Sequence, residues 1–299
     1  MDKPIEVADS VYAYPQDDGS WWVNTTGFVV GRRDIVVIDS CSTLRRTERF
    51  RDAIAGVADL PVTRLVNTHH HGDHTYGNAL FDAVVIGHEN CRTEALDDRA
   101  REHADALWSP APDWGDLPVD PPSVTFSDRL TLYLDDLRME LIHPGRPAHT
   151  KGDIVCWLPE QCVLFTGDLV FNGGTPLMMQ GSVTGSLEAL RFLRGFHAET
   201  LVPGHGIPTS PDILDLHERY YRFVLRSAEQ ARACGLTPLE AARELDLGEF
   251  TDLLDPERIV LNLHRAYADL SPGDGDVDPR QAFADAIAYN GGRPLRCIA

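Results

Sequence analysis

The amino-acid sequence predicts an α/β protein in which a strand-rich part is followed by a helical one. Short runs of β-branched and aromatic residues, separated by turns that contain Gly and Asp, dominate the N-terminal two thirds of the chain. Residues 43–55 interrupt these runs with helical spacing, which returns from about residue 211. The chain has 299 residues, of which 43% are hydrophobic and 24% charged, so we expect one large globular domain with an extension.

The N-terminal elements are predicted from alternating hydrophobic residues and turn signals. Strands at 11–14, 21–30 and 35–38 are separated by DDG and GRRD turns and fit an antiparallel meander. An Arg-rich amphipathic helix at 43–55 follows, and then a strand at 62–66 that runs directly into the sequence NTHHHGDHTYGN. The histidine-rich loop therefore lies at a strand end, where α/β folds usually carry their functional residues.

Residues 107–123 form a proline-rich insertion that carries Trp108 and Trp114. It follows a predicted strand at 83–86 and a predicted helix from residue 89 to about 106, and its prolines exclude a regular element. We interpret it as a candidate lid, with a static insertion whose tryptophans pack on the core as the alternative.

The rest of the chain returns to strands and then becomes helical. Strands are predicted at 130–134, 138–142, 154–158, 163–165 and 200–202, with a helix at 186–197. We expect residues 1–215 to form the core and residues 216–299 to form a helical extension packed on it. The last helix is expected between residues 256 and 270.

The strongest functional signal is the array H-x-H-x-D-H in the histidine-rich loop. In an extended segment, residues two apart point to the same side, so His69 and His71 can converge on one metal ion. Gly72 allows the chain to turn, which lets Asp73 and His74 face a second position. Imidazole and carboxylate ligands in one short loop favour zinc, with manganese, iron or cobalt as alternatives.

Three further donors lie at predicted strand ends beside a glycine. His149 occurs in PAHTKGD, Asp168 in LFTGDLVF and His205 in LVPGHG. Two metal ions need more ligands than the histidine-rich loop holds, and these residues supply them. His143 is an alternative to His149 as a ligand, whereas His70 should face outward or support its neighbours. Arg146 and Lys151 flank His149 and either meet an acidic substrate group or are solvated surface charges.

These motifs, in this order, resemble the metallo-β-lactamase-fold hydrolase superfamily over roughly residues 5–215. The resemblance implies an αββα sandwich with the metal ions at one edge. It assigns His69, His71 and His149 to one metal ion, assigns Asp73, His74 and His205 to the other, and makes Asp168 the bridging ligand. It also implies that Asp39, in VVIDS, holds the ligand loop in place without touching metal.

The resemblance further implies a metal-dependent hydrolase with two Zn²⁺ ions, or Mn²⁺ or Fe²⁺ in their place. A hydroxide held between two metal ions about 3.5–4 Å apart would attack the carbonyl of an ester, thioester or lactone. Asp73 would be the catalytic residue that passes the proton to the leaving group. The Asp168 motif is similar to that of hydroxyacylglutathione hydrolases, lactonases and thioesterases rather than of β-lactamases. Persulfide dioxygenases and phosphodiesterases are less favoured alternatives.

A narrower resemblance comes from the N-terminal sequence VYAYPQDDGSWWVNTTGFVVG. Together with VVIDS and NTHHHGDHTYGN, it is similar to a group of actinomycete proteins that includes aromatic polyketide cyclase/thioesterases. That resemblance implies the alternative of a bifunctional enzyme acting on a carrier-bound polyketide. Nothing in the sequence specifies the substrate-binding residues or the oligomeric state.

The charge and the cysteines limit the partners and the compartment. With Lys+Arg 27 and Asp+Glu 46 the net charge is −19, which disfavours nucleic acid as a partner. Segments 94–136 (11 acidic, 3 basic) and 238–290 (12 acidic, 4 basic) carry −8 each, so the predicted ligands lie in nearly balanced sequence that allows an anionic small-molecule or carrier-bound substrate. No signal peptide or membrane segment is evident and the cysteines have no paired spacing, so we expect a cytoplasmic protein with reduced thiols.

Overall fold

Two β-sheets packed face to face form the centre of the computed structural model, which describes residues 3–98, 100–271 and 275–299. The first sheet has the strand order β1-β2-β3-β4-β5-β6-β8. Its strands β1 to β4 form the predicted antiparallel meander, and β5, β6 and β8 add in parallel. The strands are β1 (Ile5–Ala8), β2 (Val11–Pro15), β3 (Thr25–Val30), β4 (Ile35–Ile38), β5 (Val62–Val66), β6 (Val84–His88) and β8 (Val124–Phe126).

The second sheet has the order β13-β12-β11-β10-β9 and is antiparallel except for the parallel pair β12 and β13. Its strands are β9 (Arg129–Leu134), β10 (Leu137–Ile142), β11 (Val155–Leu158), β12 (Val163–Phe171) and β13 (Thr200–His205). A separate two-stranded pair joins β7 (Trp108–Ser109), in the proline-rich insertion, to β14 (Leu295–Arg296).

Helices cover both outer faces of the two sheets. They are α1 (Leu44–Ala55), α2 (Gly72–Thr75), α3 (Glu89–Asp97), α4 (Ala104–Leu107), α5 (Val183–Arg194), α6 (Ile213–Ala233), α7 (Pro238–Glu244), α8 (Arg258–Asp269) and α9 (Pro279–Tyr289). Helix α1 begins after Thr43, whose side chain accepts a hydrogen bond from the Arg46 backbone N–H and so satisfies a free donor of the first turn. No helix in the described residues is long and apolar enough to cross a membrane.

Alternation along the strands separates three hydrophobic cores. Val36 and Ile38 of β4 point between the sheets, whereas Ile35 and Val37 point to the outer core under Phe50 of α1. The third core lies on the far face of the second sheet and joins it to α5, α6, α8 and α9. The layers therefore run helix, sheet, sheet, helix, which confirms the expected α/β (α+β) fold class with an αββα sandwich.

Several predicted boundaries are wrong, each for a local reason. The strand expected at 21–30 begins only at Thr25, because Trp22 has a φ of +65° and the chain turns there before it becomes extended. The helix expected from residue 89 to about 106 ends at Asp97, because Asp98 is extended. Strand β12 continues to Phe171, so Asp168 lies within a strand rather than after it.

The C-terminal part contains elements that the pattern missed. Helix α9 follows the helix that was expected to be the last, and β14, near the C-terminus, pairs with β7 of the insertion. The insertion is otherwise irregular, as predicted, and its Trp108 packs on Trp21 and Phe283. The division at residue 215 and the lid stay predictions.

Candidate metal centre

Four segments that end or interrupt strands bring the predicted donors to one edge of the sandwich. The histidine-rich loop follows β5, His149 lies in the loop before β11, Asp168 lies in β12, and His205 ends β13. Parallel pairing of β12 with β13 places Asp168 and His205 on neighbouring strands. Because β5 and β13 belong to different sheets, the site forms only when the two sheets pack together.

The donors form two groups, in each of which the donor atoms lie within 4.8 Å of one another. The first group has the Nε2 atoms of His69 and His149 at 3.1 and 2.8 Å from Nδ1 of His71. In the second group, Oδ2 of Asp73 lies 3.1 Å from Nε2 of His205 and 3.7 Å from Nε2 of His74. The members are His69, His71, His149 and Asp168 in one group and Asp73, His74 and His205 in the other.

Asp168 connects the two groups. Its Oδ2 lies 3.2 Å from Nε2 of His149 and 3.5 Å from Nε2 of His205, and its Oδ1 lies 3.1 Å from Nε2 of His74. A carboxylate that reaches both groups in this way is placed to bridge two ions, as the resemblance implied. The structure therefore brings together all seven donors that the sequence suggested.

Each imidazole is oriented by an oxygen atom on the side away from the centre. Nδ1–H of His149 donates to the Leu177 carbonyl (2.6 Å) and Nδ1–H of His205 donates to the Gly19 carbonyl (3.0 Å). His71 is reversed, because its Nε2 contacts the side-chain oxygen of Gln180 and its Nδ1 faces the centre. In a neutral imidazole, an outer partner of this kind fixes the tautomer and turns the unprotonated nitrogen towards the centre, where it can bind metal.

Asp39 holds the ligand loop from behind. Its carboxylate accepts hydrogen bonds from the backbone N–H and the hydroxyl of Thr68, both at 2.7 Å, and from Nδ1–H of His74 at 2.9 Å. Asp39 is buried and has a φ of +60°, a region that Asp tolerates better than most residues. It touches the loop and not the centre, which is the position that the resemblance implied.

Burial lowers the pKa of some histidines of the site, and the carboxylates of Asp73 and Asp168 raise the pKa of others. Burial lowers the pKa of His71 to about 4 and that of His149 to about 3, since an imidazolium there would lose its hydration. Burial also opposes a charge on His205, but Asp168 and Asp73 outweigh it and raise its pKa to about 9. Binding of a metal ion at His205 must therefore displace a proton, whereas His71 and His149 are already neutral.

The donor groups suit divalent cations because several of their inward-facing nitrogen and oxygen atoms lack hydrogen-bond donors. With their outer nitrogens donating to oxygen atoms, His149 and His71 direct two unprotonated nitrogens at each other across 2.8 Å. Nε2 of His74 and Oδ1 of Asp168 are buried and face each other at 3.1 Å, and neither makes a well-formed hydrogen bond to any described residue. Converging lone pairs and buried acceptors are stable only around positive charge. Nitrogen and carboxylate donors suit zinc, although they do not by themselves select it over manganese or iron.

Two glycines make room for this arrangement. A Cβ atom on Gly204 would lie 2.0 Å from Oδ1 of Asp168, so only glycine lets β13 approach the bridging carboxylate. Gly167 has a φ of +50°, and a Cβ there would lie 2.6 Å from Oγ1 of Thr68. The motifs GD and GHG of the sequence thus provide close backbone approach.

Other candidates of the sequence lie outside the donor groups. His143 belongs to neither donor group, whereas His149 does, and its Nδ1 bonds to the Asp153 carbonyl at 2.8 Å. His70 is buried rather than outward-facing, and its Nδ1 lies 3.0 Å from Glu94. Arg146 pairs with Glu188 at 2.8 Å, and Lys151 is exposed.

Several supporting residues were missed. Asp153 accepts hydrogen bonds from the backbone N–H groups of His149 (2.9 Å) and Thr150 (3.0 Å), which shapes the loop that carries His149. Gln180 and the carbonyls of Gly19 and Leu177 orient ligands from segments far away in sequence. The GD pair at 152–153 was the only local signal among these, because a backbone carbonyl has no sequence signature.

An αββα sandwich with histidine and aspartate clusters at its edge that could hold metal is the arrangement of a metal-dependent hydrolase of the metallo-β-lactamase fold. The family model described as the metallo-beta-lactamase superfamily matches residues 19–205. The chain belongs to this superfamily.

Curated relatives and solved structures agree with that membership. The chain is 31% identical to a hydroxyacylglutathione hydrolase of Rhodospirillum rubrum, over 75% of this chain and 77% of the relative. It is 26% identical to the human acyl-coenzyme A thioesterase MBLAC2, over 63% of this chain and 78% of that protein. The structure of a metallo-beta-lactamase from Pontibacter korlensis superposes with a TM-score of 0.61 at 21% identity, covering 74% of this chain and 98% of that one. The relatives support a metal-dependent hydrolase, and the structural match supports the fold.

Proposed function

We propose that the protein is a dinuclear zinc hydrolase that cleaves a thioester or an ester, including a lactone. The observation that carries this proposal is the junction of two donor groups at Asp168, with three further protein donors on each side. Two relatives named for thioester hydrolysis support the choice of substrate class.

Two zinc ions bound to these donors would activate a water molecule at neutral pH and polarise the substrate carbonyl. The chain itself supplies the geometry for that chemistry. His69, His71 and His149 stay neutral and keep their lone pairs inward, and Asp39 prevents His74 from turning. Phe171 stacks on His205 with ring centroids 5.2 Å apart, which fixes that imidazole and excludes water from its outer face.

Asp73 is the residue that we assign to proton transfer. Its carboxylate is buried beside His205 and His74, at the end of the loop and on the side of the second group. From this position it can accept a proton as the nucleophile attacks and return it to the leaving thiolate or alkoxide. No serine or cysteine nucleophile is needed.

The partner that follows from this chemistry is a small-molecule or carrier-bound acyl compound in the cytoplasm. The net charge of −19 disfavours nucleic acid, and the acidic segments at 94–136 and 238–290 lie outside all the donors. Closure of a ring on a carrier-bound aromatic polyketide is the alternative reaction for the same site. The mass of the product distinguishes ring closure from simple hydrolysis.

The test is metal content and turnover in one preparation. We expect close to two zinc ions per chain and chelator-sensitive hydrolysis of glutathione and coenzyme A thioesters or of lactones. The variant His71→Ala should lose metal and activity, and the neighbouring His70→Ala, which removes a histidine outside both donor groups, should keep its metal.

Three results would contradict the proposal. Hydrolysis that survives complete removal of metal would exclude the mechanism, and faster cleavage of phosphodiesters than of thioesters would exclude the substrate class. Consumption of oxygen by an iron-loaded preparation supplied with a persulfide would indicate an oxidoreductase instead.

A further inference from the structure

Five side chains form an aromatic cluster next to the histidine-rich loop. Trp22 lies 4.7 Å from Trp114, 5.8 Å from Trp108 and 5.9 Å from Tyr76, measured between ring centroids. The guanidinium of Arg101 lies over the Tyr76 ring at 3.7 Å. We call Trp22, Tyr76, Arg101, Trp108 and Trp114 the indole cluster. The proline-rich insertion contributes two of its three indoles.

The indole cluster is continuous with the metal centre on two sides. The Tyr76 ring lies against Gly72, where a Cβ atom would be 2.1 Å from it, and Gly72 separates the donors His71 and Asp73. The segment that carries Trp22 also carries Gly19, whose carbonyl accepts the hydrogen bond of His205. The cluster is therefore built on the segment that carries the donors His71 and Asp73 and on the segment that orients His205.

The cluster contains buried hydrogen-bond donors without acceptors. The Nε1–H groups of Trp22, Trp108 and Trp114 and an amino nitrogen of Arg101 are all shielded from solvent, and none has a partner in the described part of the chain. Trp108 is 3% exposed, so its N–H has no access to water either. Buried donors normally find partners, and four of them in one cluster point to a ligand that supplies acceptors.

The chemistry of the cluster defines that ligand. Its walls are flat indole and phenol faces, which favour stacking with a planar group. Its free polar atoms are donors only, and the guanidinium of Arg101 adds a positive charge, so the ligand must carry oxygen acceptors. An alkyl chain would bury these donors without satisfying them.

We propose that the indole cluster is the acyl-recognition site of the hydrolase and selects planar, conjugated acyl groups that carry carbonyl or phenolic oxygen atoms. This inference rests on the proposed function for the position of the scissile bond. Trp22, Trp108 and Trp114 then determine specificity, and the donors of the metal centre carry out the reaction.

In this proposal the Trp114 ring rotates to admit the ligand. Its backbone is held, because the Trp114 carbonyl accepts the N–H of Leu44 at 3.0 Å and Arg101 bonds to the Leu117 carbonyl at 2.8 Å. The Trp114 ring is partly exposed although its nitrogen is shielded. Rotation about the side-chain bonds of Trp114 would then open the cluster to a ligand while the backbone of the insertion stays in place.

The test compares three thioesters of N-acetylcysteamine with the zinc-loaded protein: 2,4-dihydroxybenzoyl, benzoyl and octanoyl. We measure kcat/KM for the wild type and for Trp22→Phe, Trp108→Phe and Trp114→Phe, which keep an aromatic ring and lose the N–H. Each variant should lower the ratio of dihydroxybenzoyl to benzoyl turnover by about fivefold, the value of one hydrogen bond. Comparing ratios between variants cancels the different reactivities of the thioesters.

Trp157→Phe is the matched control. Trp157 is a partly buried tryptophan that packs on Phe196 and lies outside the indole cluster, so its replacement should leave all three rates unchanged. Thermal unfolding of each variant, checked in parallel, identifies any that does not fold. If all three cluster variants had the same ratio of dihydroxybenzoyl to benzoyl turnover as the wild type, the proposal would be overturned. The indole N–H groups would then contact only the neighbouring rings.

A binding measurement separates this proposal from the proposed function. The amide analogue of the dihydroxybenzoyl thioester is not hydrolysed and should quench tryptophan fluorescence, with weaker binding in each cluster variant. Binding without turnover of any thioester would contradict the hydrolase and support the acyl site. Turnover of octanoyl thioester in preference to both planar substrates would support the hydrolase and contradict the acyl site.

Discussion

Replacing Gly204 by alanine tests whether the approach of β13 to Asp168 sets the geometry of the metal centre. The new Cβ would lie 2.0 Å from Oδ1 of Asp168 and 2.8 Å from its backbone nitrogen. Real Cβ contacts are essentially never shorter than 3.0 Å, so the carboxylate must move by about 1 Å. The backbone can yield little, because β12 and β13 are paired in the second sheet.

A shift of this size at the shared ligand should affect both donor groups at once. Displacements of about 1 Å in a catalytic constellation can lower the rate by about 10²-fold. Overpacking costs about 1–3 kcal/mol of stability, so the protein should still fold. We therefore expect Gly204→Ala to bind substantially less zinc than the wild type and to hydrolyse its best thioester about 10²-fold more slowly.

The assays are zinc content after dialysis, kcat/KM at saturating zinc and the midpoint of urea unfolding. Gly56→Ala is the control, because Gly56 has a φ of −69° and its Cβ would meet nothing closer than 3.4 Å. That variant should match the wild type or gain about 0.4–1 kcal/mol. A folded Gly204→Ala protein with two zinc ions and a rate within threefold of the wild type would refute the reasoning.

Three other predictions concern residues around the centre. Asp39→Asn replaces the carboxylate between Thr68 and His74, and competition with a chelator should show about 10–100-fold weaker zinc binding; unchanged affinity would exclude a role in holding the loop. Arg258→Met removes the partner of the buried Asp255, which lies 2.9 Å away, and should lower the free energy of unfolding by about 3–5 kcal/mol. Urea unfolding measures this loss, and a value below about 1 kcal/mol would show that the ion pair is dispensable. Burial lowers the pKa of His217 to about 4, whereas in the unfolded chain it has the ordinary value of about 6.5, so the unfolded chain binds an extra proton between these pH values and the protein loses stability as the pH falls from about 6.5 towards 4. The variant His217→Gln keeps an acceptor for the Phe171 N–H and should lose less stability than the wild type between pH 7 and pH 5. Equal losses in the two proteins would contradict this prediction.

The elements that were predicted accurately are those with a strong local pattern. Strands β4 and β5 occur at the expected residues, since each is a short apolar run between clear turn signals. Helix α1 also follows its prediction, because Thr43 caps an amphipathic segment. Boundaries failed where contacts distant in sequence decide the conformation, as at Trp22, or where a strand continues through a glycine, as at Gly167.

The sequence suggested the donor residues themselves but not the groups that hydrogen-bond to the outer side of each donor. The seven donors could be suggested from the sequence because His and Asp side chains close to glycine, near predicted strand ends, are visible in the chain itself, whereas Asp39 was implied by the family resemblance. Their outer partners include Gln180 and two backbone carbonyls, which became apparent only from the contacts in the folded protein. Any residue can offer a carbonyl, so no sequence pattern indicates which one faces an imidazole.

The sequence by itself indicated the fold class and the donor types of this protein, and its charge led us to expect that nucleic acid is not a partner. The tertiary structure alone decided which nitrogen of each histidine faces the centre, which imidazoles are neutral, and that three indoles meet with N–H groups that have no partner among the described residues. The reason is physical. Spacing along one chain specifies which side chains share a face, whereas burial and electrostatics depend on two sheets, an insertion and a C-terminal segment that come together only in the fold.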